Sequence, residues 1–156
     1  MPDKLAASRD DASIIHRYRD NLDGTFGVVT GGNYDTPALI THANAAVGVN
    51  GTDQPNLNGR GIQVGVNIAS GAGTLPTLQV IIEGRDVASG QYYTLLSSAV
   101  LVASAALFTQ LTVYPGMLAA ANTIANQVLP RTWRVRTIIG GTTPTVTATI
   151  SASLIV

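Results

Sequence analysis

Few residues of this chain have the types and spacing that metal binding requires. Residues 20–24 read Asp-Asn-Leu-Asp-Gly, the start of a calcium-loop pattern, but the twelfth position of that pattern needs a glutamate and holds Gly31. The two histidines, His16 and His42, stand in no His-x-His or His-x3-His spacing, and each is expected to be an ordinary surface or interface residue. We predict an Asx-rich turn at residues 20–24, no metal site and no cofactor.

The sequence also contains no clear motif for nucleophilic or acid–base catalysis. The sequence has no Gly-x-Ser-x-Gly elbow, and residue types alone leave open only a Ser-His-Asp triad assembled from distant positions. Paired carboxylates would have to come from Asp35, Asp53, Glu83 and Asp86, and Arg85 is expected to neutralise the last two locally. We predict that the protein is not an enzyme.

Three arginines surround the single tryptophan of the chain. Trp133 is expected to anchor the core, while Arg134 and Arg136 point outward from the same strand and Arg131 precedes it. We predict an inter-subunit ion-pair patch at Arg131, Arg134 and Arg136, with Tyr92 as a further contact residue. Nucleic-acid binding is not predicted, because the net charge is zero and three arginines alone are a weak signal for it.

Charge is distributed unevenly between the two ends of the chain. Nine of the eighteen charged residues lie in the first 23 positions, and no acid follows Asp86. A body with so little surface charge is expected to pack against other protein, because surface charge is what keeps a free domain dispersed. We therefore predict an arm at residues 1–33 and a folded domain at residues 34–156, with a solvated, frayed terminus as the alternative for the first 23 residues. The arm residues expected to contact a partner are Arg9, Arg17, Tyr18, Arg19 and Phe26.

The fold class follows from period-2 alternation, which is clear from Gly61 onward. Turns are predicted at residues 71–76 and 140–141, short strands near residues 25–29 and 45–49, and a short helix or ordered loop at residues 117–128. The pattern predicts an all-β protein, an antiparallel β-sandwich or jelly-roll. Its clearest apolar rows are Ile62, Val64, Val66 and Ile68; Leu78, Val80 and Ile82; and Val146, Ala148, Ile150, Ala152, Leu154 and Val156.

The chain has no cysteine, so disulfides and thiol chemistry are absent. Its first residues lack the apolar core of a signal peptide, and no apolar run reaches the length of a membrane span. We expect synthesis in the cytoplasm and no membrane partner.

Four segments resemble small structural proteins of tailed bacteriophages. They are GRDVASGQYYTLL at residues 84–96, LTVYPG at 111–116, LPRTWRVR at 129–136 and NLNGRG at 56–61. The resemblance covers residues 50–156 and rests on fold motifs rather than catalytic ones. It implies a virion component, a capsid cement or decoration protein made in the host cytoplasm and bound to the outer surface of the capsid.

Under this interpretation the partners are the major capsid protein and further copies of the chain, which are expected to form a homotrimer. A minor tail or head–tail joining protein is the alternative within the same class. A glycan-binding module on the virion surface is the alternative from another class, with Tyr92, Tyr93, Tyr114 and Trp133 as candidate aromatic platforms.

Overall fold

A computed structural model describes residues 17–20, 26–29, 34–56 and 58–156, and the contacts divide the chain into two units, Met1–Gly32 and Asn33–Val156. In the first unit, β1 (Arg17–Asp20) pairs with β2 (Phe26–Val29) in an antiparallel ladder. The strand expected near residues 25–29 is therefore present, and its partner is the Arg-Tyr-Arg-Asp segment.

The second unit is all-β, as predicted, and its described residues contain no helix. Its strands are β3 (Tyr34–Ala45), β4 (Gln54–Pro55), β5 (Gly61–Arg85), β6 (Tyr92–Ser97), β7 (Leu101–Val102), β8 (Leu107–Val113), β9 (Ile124–Ala125) and β10 (Thr132–Ile155). All eight join one sheet, ordered β3-β10-β5-β8-β9, in which β4 also pairs with β10 and both β6 and β7 pair with β5. Because β8 and β9 run parallel, the sheet is mixed, and the prediction of a purely antiparallel sheet is wrong.

The two longest strands, β5 and β10, pair with each other along their whole length. Residues 61–68 of β5 and 146–155 of β10 form half A of the sheet, with β8 and β3 at its sides. Residues 77–85 of β5 and 132–140 of β10 form half B, with β4, β6 and β7 at its sides. The same pair of strands therefore runs through both halves of the sheet.

The glycine-rich stretches at residues 71–76 and 140–141 were predicted to be turns that end strands, and this prediction is wrong. Both strands continue through them, and the two stretches lie opposite each other, with Thr74 paired to Thr142 and Ala72 to Thr145. The ladder shifts register on both sides of Thr142. Glycines and bulges increase bending and twist without ending a strand, so these sequences mark the bend between halves A and B.

The alternating apolar rows of both halves are buried as predicted, except that Leu154 is only partly buried and Val156 is 47% exposed. Ile62, Val64, Val66 and Ile68 of half A belong to the same core cluster as Leu78, Val80 and Ile82 of half B. Trp133 joins that cluster and is 2% exposed. In addition, β6 of half B lies near β8 and β9 of half A. The sheet is thus curled around one shared core.

Two local expectations differ from the structure. The strand predicted at residues 45–49 lies upstream, in β3, which ends at Ala45. Of the two alternatives for residues 117–128, the helix is wrong and the ordered loop is right: the segment contains turns and β9, and Ala120 and Ile124 exchange backbone hydrogen bonds around Asn122, which has a φ of 62°. No helix among the described residues is long and apolar enough to span a membrane.

Candidate functional site

A compact charged cluster covers the outer face of half B, centred on Glu83. The Nε of Arg134 donates to Oε2 of Glu83 at 2.7 Å, and the Nε of Arg136 donates to Oε1 at 2.9 Å. The register explains the contact, because Arg134 lies directly opposite Glu83 and the alternation of β10 places Arg136 on the same face. Glu83 is 6% exposed, so each of its carboxylate oxygens accepts a charge-assisted hydrogen bond inside the protein.

Tyr92 extends this cluster across the sheet. Its hydroxyl donates to Oδ1 of Asp53 at 2.6 Å, and the guanidinium carbon of Arg134 lies 3.4 Å from the centre of its ring. The hydrogen bond to the Asp53 carboxylate raises the pKa of Tyr92 above its ordinary value, with burial as a smaller cause. Asp53 also accepts from Nη1 of Arg85 at 3.1 Å. We call the set Asp53, Glu83, Arg85, Tyr92, Arg134 and Arg136 the arginine cluster.

Arg85 was expected to neutralise Glu83 and Asp86, and this prediction is wrong. Arg85 reaches Asp53 instead, since Glu83 is already bound by the two arginines of β10. Asp86 accepts hydrogen bonds from the backbone N–H and the hydroxyl of Ser89 at 2.7 and 2.6 Å, and these bonds lower the pKa of Asp86. The correct partners depend on strand register, which local sequence does not contain.

The structure brings three of the four predicted inter-subunit residues together. Arg134, Arg136 and Tyr92 are neighbours in the arginine cluster, where their polar groups already have partners within the chain. Arg131 is exposed, and its backbone carbonyl accepts from the N–H of Asn56 at 2.7 Å. A role for these residues between subunits stays a prediction.

The arm residues are described only in part. Arg17, Tyr18 and Arg19 lie in β1 and Phe26 begins β2, where it is the ladder partner of Asp20. Arg9 lies outside the described residues. Contacts between the arm and a partner therefore stay a prediction.

The outer face of half A has the opposite character to the arginine cluster. Its side chains on β5, β8 and β10 carry no charge, and the nearest acid on this face is Asp35, opposite Ser153 at the β3 margin. A strand that buries alternate residues must present the others outward, so the alternation that builds the core also builds this surface. We call it the uncharged face; its residues are Gln63, Gly65, Asn67, Phe108, Gln110, Thr112, Thr147, Thr149, Ser151 and Ser153.

Phe108 lies on the β8 side of the uncharged face and was not among the predicted site residues. A Cβ added to Gly65 would lie 3.6 Å from Cε2 of Phe108, so the ring covers a position that has no side chain of its own. Phe108 is 60% exposed, and Gln63 donates to Gln110 beside it at 3.1 Å. The sequence alone contains a signal for this position. In LFTQLTV, burial of Leu111 and Val113 on one side of the strand predicts that Phe108 lies on the opposite, outward side.

His42 was expected at the surface or at an interface, and the structure corrects this. It is buried, its Nε2 lies 3.0 Å from Oγ1 of Thr137, and the same oxygen accepts from the backbone N–H of Val49 at 2.9 Å. Desolvation by burial lowers the pKa of His42. Within the described part of the chain, no group of three or more His, Cys, Asp or Glu side chains is placed to hold a metal ion.

The four aromatic residues proposed as glycan platforms do not form one surface. Trp133 is buried, the ring of Tyr92 is covered by Arg134, and Tyr114 lies near Arg60, 5.8 Å from the guanidinium carbon. Tyr93 is about half exposed but packs over Gly84. Phe108, by contrast, lies on an open sheet face beside Gln63 and Gln110.

Comparisons with known proteins add no identification: no family model, no curated protein and no solved structure matches the chain. The resemblance of four segments to phage structural proteins therefore stays a prediction.

Proposed function

We propose that this chain is a cement protein of a bacteriophage capsid, which binds the outer surface of the major capsid protein shell and stabilises it mechanically. The observation that carries the proposal is the contrast between the two outer faces of the domain. The arginine cluster of half B satisfies its charges within the chain, whereas half A presents a broad face of serine, threonine, asparagine and glutamine around Phe108.

A face of this kind is suited to a permanent contact with another protein. Short uncharged side chains cost little to desolvate when partner groups accept their hydrogen bonds, and an exposed aromatic ring supplies apolar area at low entropic cost. Depletion of charged residues and enrichment of aromatic residues are typical of interface cores. On a freely diffusing domain, a face without charged residues would favour unwanted association.

We further propose that the two halves of the curled sheet act as the two layers of a sandwich, the arrangement that jelly rolls share. Their shared core and the proximity of β6 to β8 support this architecture. A sandwich places the uncharged face and the arginine cluster on opposite sides, so one side binds the shell while the other faces outward.

The arm supplies a second contact. Residues 1–33 carry half of the charge of the chain, and β1 places Arg17, Tyr18 and Arg19 in succession. Two linked contacts on one shell raise the overall affinity well above that of either contact alone. The arm and the uncharged face therefore act together in the proposed mechanism.

Binding to expanded capsids that lack this protein tests the proposal. Full-length protein should co-sediment at a fixed stoichiometry, and Asn67→Lys, which places a charge on the uncharged face, should reduce binding at least tenfold. Val87→Lys adds the same charge at an exposed turn of half B and should bind normally. Absence of binding by the full-length protein would overturn the proposal, and immunolabelling of intact virions would then show whether the protein occupies the tail or the neck.

A further inference from the structure

The strongest unassigned feature of the molecule is the outer edge of β8, where backbone groups lie open beside Phe108. On its inner side β8 pairs with β5 without any register shift, from Leu107 opposite Ile68 to Val113 opposite Ile62. On its outer side β9 covers only Thr112 and Val113. Residues 107–111 therefore form an edge strand.

The direction of the open groups follows from the hydrogen bonds to β9. The N–H of Thr112 donates to the carbonyl of Thr123 at 2.8 Å, and the N–H of Tyr114 donates to that of Ala125 at 3.0 Å. Because backbone groups alternate sides along a strand, Phe108 and Gln110 direct their N–H and C=O groups to the same outer side. Among the described residues, these groups have no backbone partner on that side.

The margins formed by β3 and β4 carry protective residues, and this one does not. Proteins protect edge strands with charged residues or proline, because open edges pair with other chains. Asp35 and Pro37 lie in the edge strand β3, and Pro55 lies in β4. Residues 107–111 read Leu-Phe-Thr-Gln-Leu, with neither protective device, and Leu107 and Phe108 are both exposed.

We propose that β8 pairs antiparallel with β8 of a second copy of this chain, about a twofold axis through Thr109. The open segment has five residues, so an axis at its centre gives the longest pairing and sets Phe108 opposite Gln110 of the second copy. Since both residues direct their backbone groups outward, the two equivalent pairs form four hydrogen bonds. Thr109 faces its own copy on the axis as a pair without backbone hydrogen bonds.

The side chains and charges also favour a second copy as the occupant. The two Phe108 rings lie diagonally across the axis on the same face, a separation of about 7–8 Å that aromatic side chains bridge. Neither β8 nor the adjoining residues 61–68 and 146–155 contain a charged residue, so two copies meet here without like-charge repulsion. The pairing extends the uncharged face across both copies and gives a dimer, whereas the sequence had suggested a trimer.

Cysteine cross-linking reads this register directly, because the chain has no cysteine of its own. In the Thr109→Cys variant the two thiols face each other across a Cα separation of about 4.5 Å, within the range of a disulfide. In the Leu107→Cys variant the two copies of residue 107 are offset by four residues, about 13 Å. Mild oxidation of the full chain should cross-link the first variant and not the second; no cross-linking at residue 109, or equal cross-linking of both, would overturn the proposal.

Sedimentation equilibrium tests the pairing in the protein without cysteines. The native chain should have the mass of a dimer, and both Phe108→Lys and Gln110→Pro should halve it, while Thr41→Lys on the edge strand β3 should leave it unchanged. Gln110→Pro removes an outward N–H and the exposed side-chain hydrogen bond from Gln63, but no backbone hydrogen bond to β5. Circular dichroism confirms that each variant is folded. A native chain that is monomeric at every concentration, or trimeric, would contradict the proposal; these tests need no capsid and stand apart from the proposed function.

Discussion

At the scale of single residues, Glu83 determines how the charges of half B are arranged. It lies between Arg134 and Arg136, and the stacking of Arg134 on Tyr92 connects this pair of contacts to Asp53. The residue types of the cluster were predictable, and so was the outward direction of the arginines. Their partners were not, because they depend on the pairing of Glu83 with Arg134, which are 51 positions apart in the chain.

Glu83→Gln should destabilise the fold by about 2 kcal/mol, because two partly buried guanidinium groups lose the charge that compensates them. Asp53→Asn changes an exposed ion pair in the same cluster and should cost at most about 1 kcal/mol. Urea unfolding of both variants measures the difference. Equal losses would show that burial of Glu83 does not strengthen its contacts.

His42 should make stability depend on pH. Its pKa in the folded protein is lowered below 6.5, so the unfolded chain takes up a proton that the native state does not. The contribution of His42 is therefore fully present above the unfolded pKa and is lost as the pH falls below it. Unfolding free energies of the native chain and of His42→Gln, measured from neutral to mildly acidic pH, should diverge at neutral pH and converge in acid; parallel curves would contradict the prediction.

At the scale of elements, the paired strands β5 and β10 determine the fold, and the sequence predicts their faces better than their ends. The alternation at Ile62–Ile68 and Val146–Ala152 correctly predicted which side chains are buried. Gly140 and Gly141 misled the prediction, because two adjacent glycines indicate a hairpin turn and a bend within a strand equally well. The parallel pairing of β8 with β9 left no local signal, since it joins segments through a long loop.

The bend between the halves gives a direct test at this scale. Gly141 has a φ of 120°, and a Cβ there would lie 2.6 Å from the carbonyl oxygen of Leu75. Gly116 has a φ of 89° but nothing within 4 Å of an added Cβ. Gly116→Ala should therefore cost about 1–2 kcal/mol from backbone strain alone.

Gly141→Ala should cost clearly more than Gly116→Ala, because the strain and the clash with β5 add in the same place. Thermal unfolding followed by far-ultraviolet circular dichroism compares the two variants. If both lose the same stability, the close approach of β5 and β10 at the bend is not the constraint that we describe.

At the scale of the whole molecule, charge is divided among three regions. The N-terminal residues hold half of it, the arginine cluster neutralises most of its own, and the uncharged face holds none. The sequence predicted that the body is poor in charge, but it could not show that most of the remaining charges gather around half B, with Asp35 and Arg60 beside half A as the exceptions. That separation appears only once the strands are paired.

The division predicts two salt dependences for capsid binding. Contacts through the uncharged face should change little with ionic strength. Electrostatic attraction between the charged arm and the capsid should weaken with added salt, because the screening length is about 10 Å at 0.1 M salt and shorter at higher concentrations. Binding of the native chain should therefore weaken in high salt, and binding of an Arg17→Ala/Arg19→Ala variant should be weaker at low salt but less sensitive to added salt. Identical salt dependence of the two proteins would exclude a role for these arginines in binding.

The most direct test of a cement function is the temperature at which expanded capsids lose their DNA, with and without saturating protein. We expect a higher disruption temperature with the native chain and little change with Asn67→Lys at the same concentration. Capsids that bind the protein at full occupancy but break at the same temperature would contradict a stabilising role.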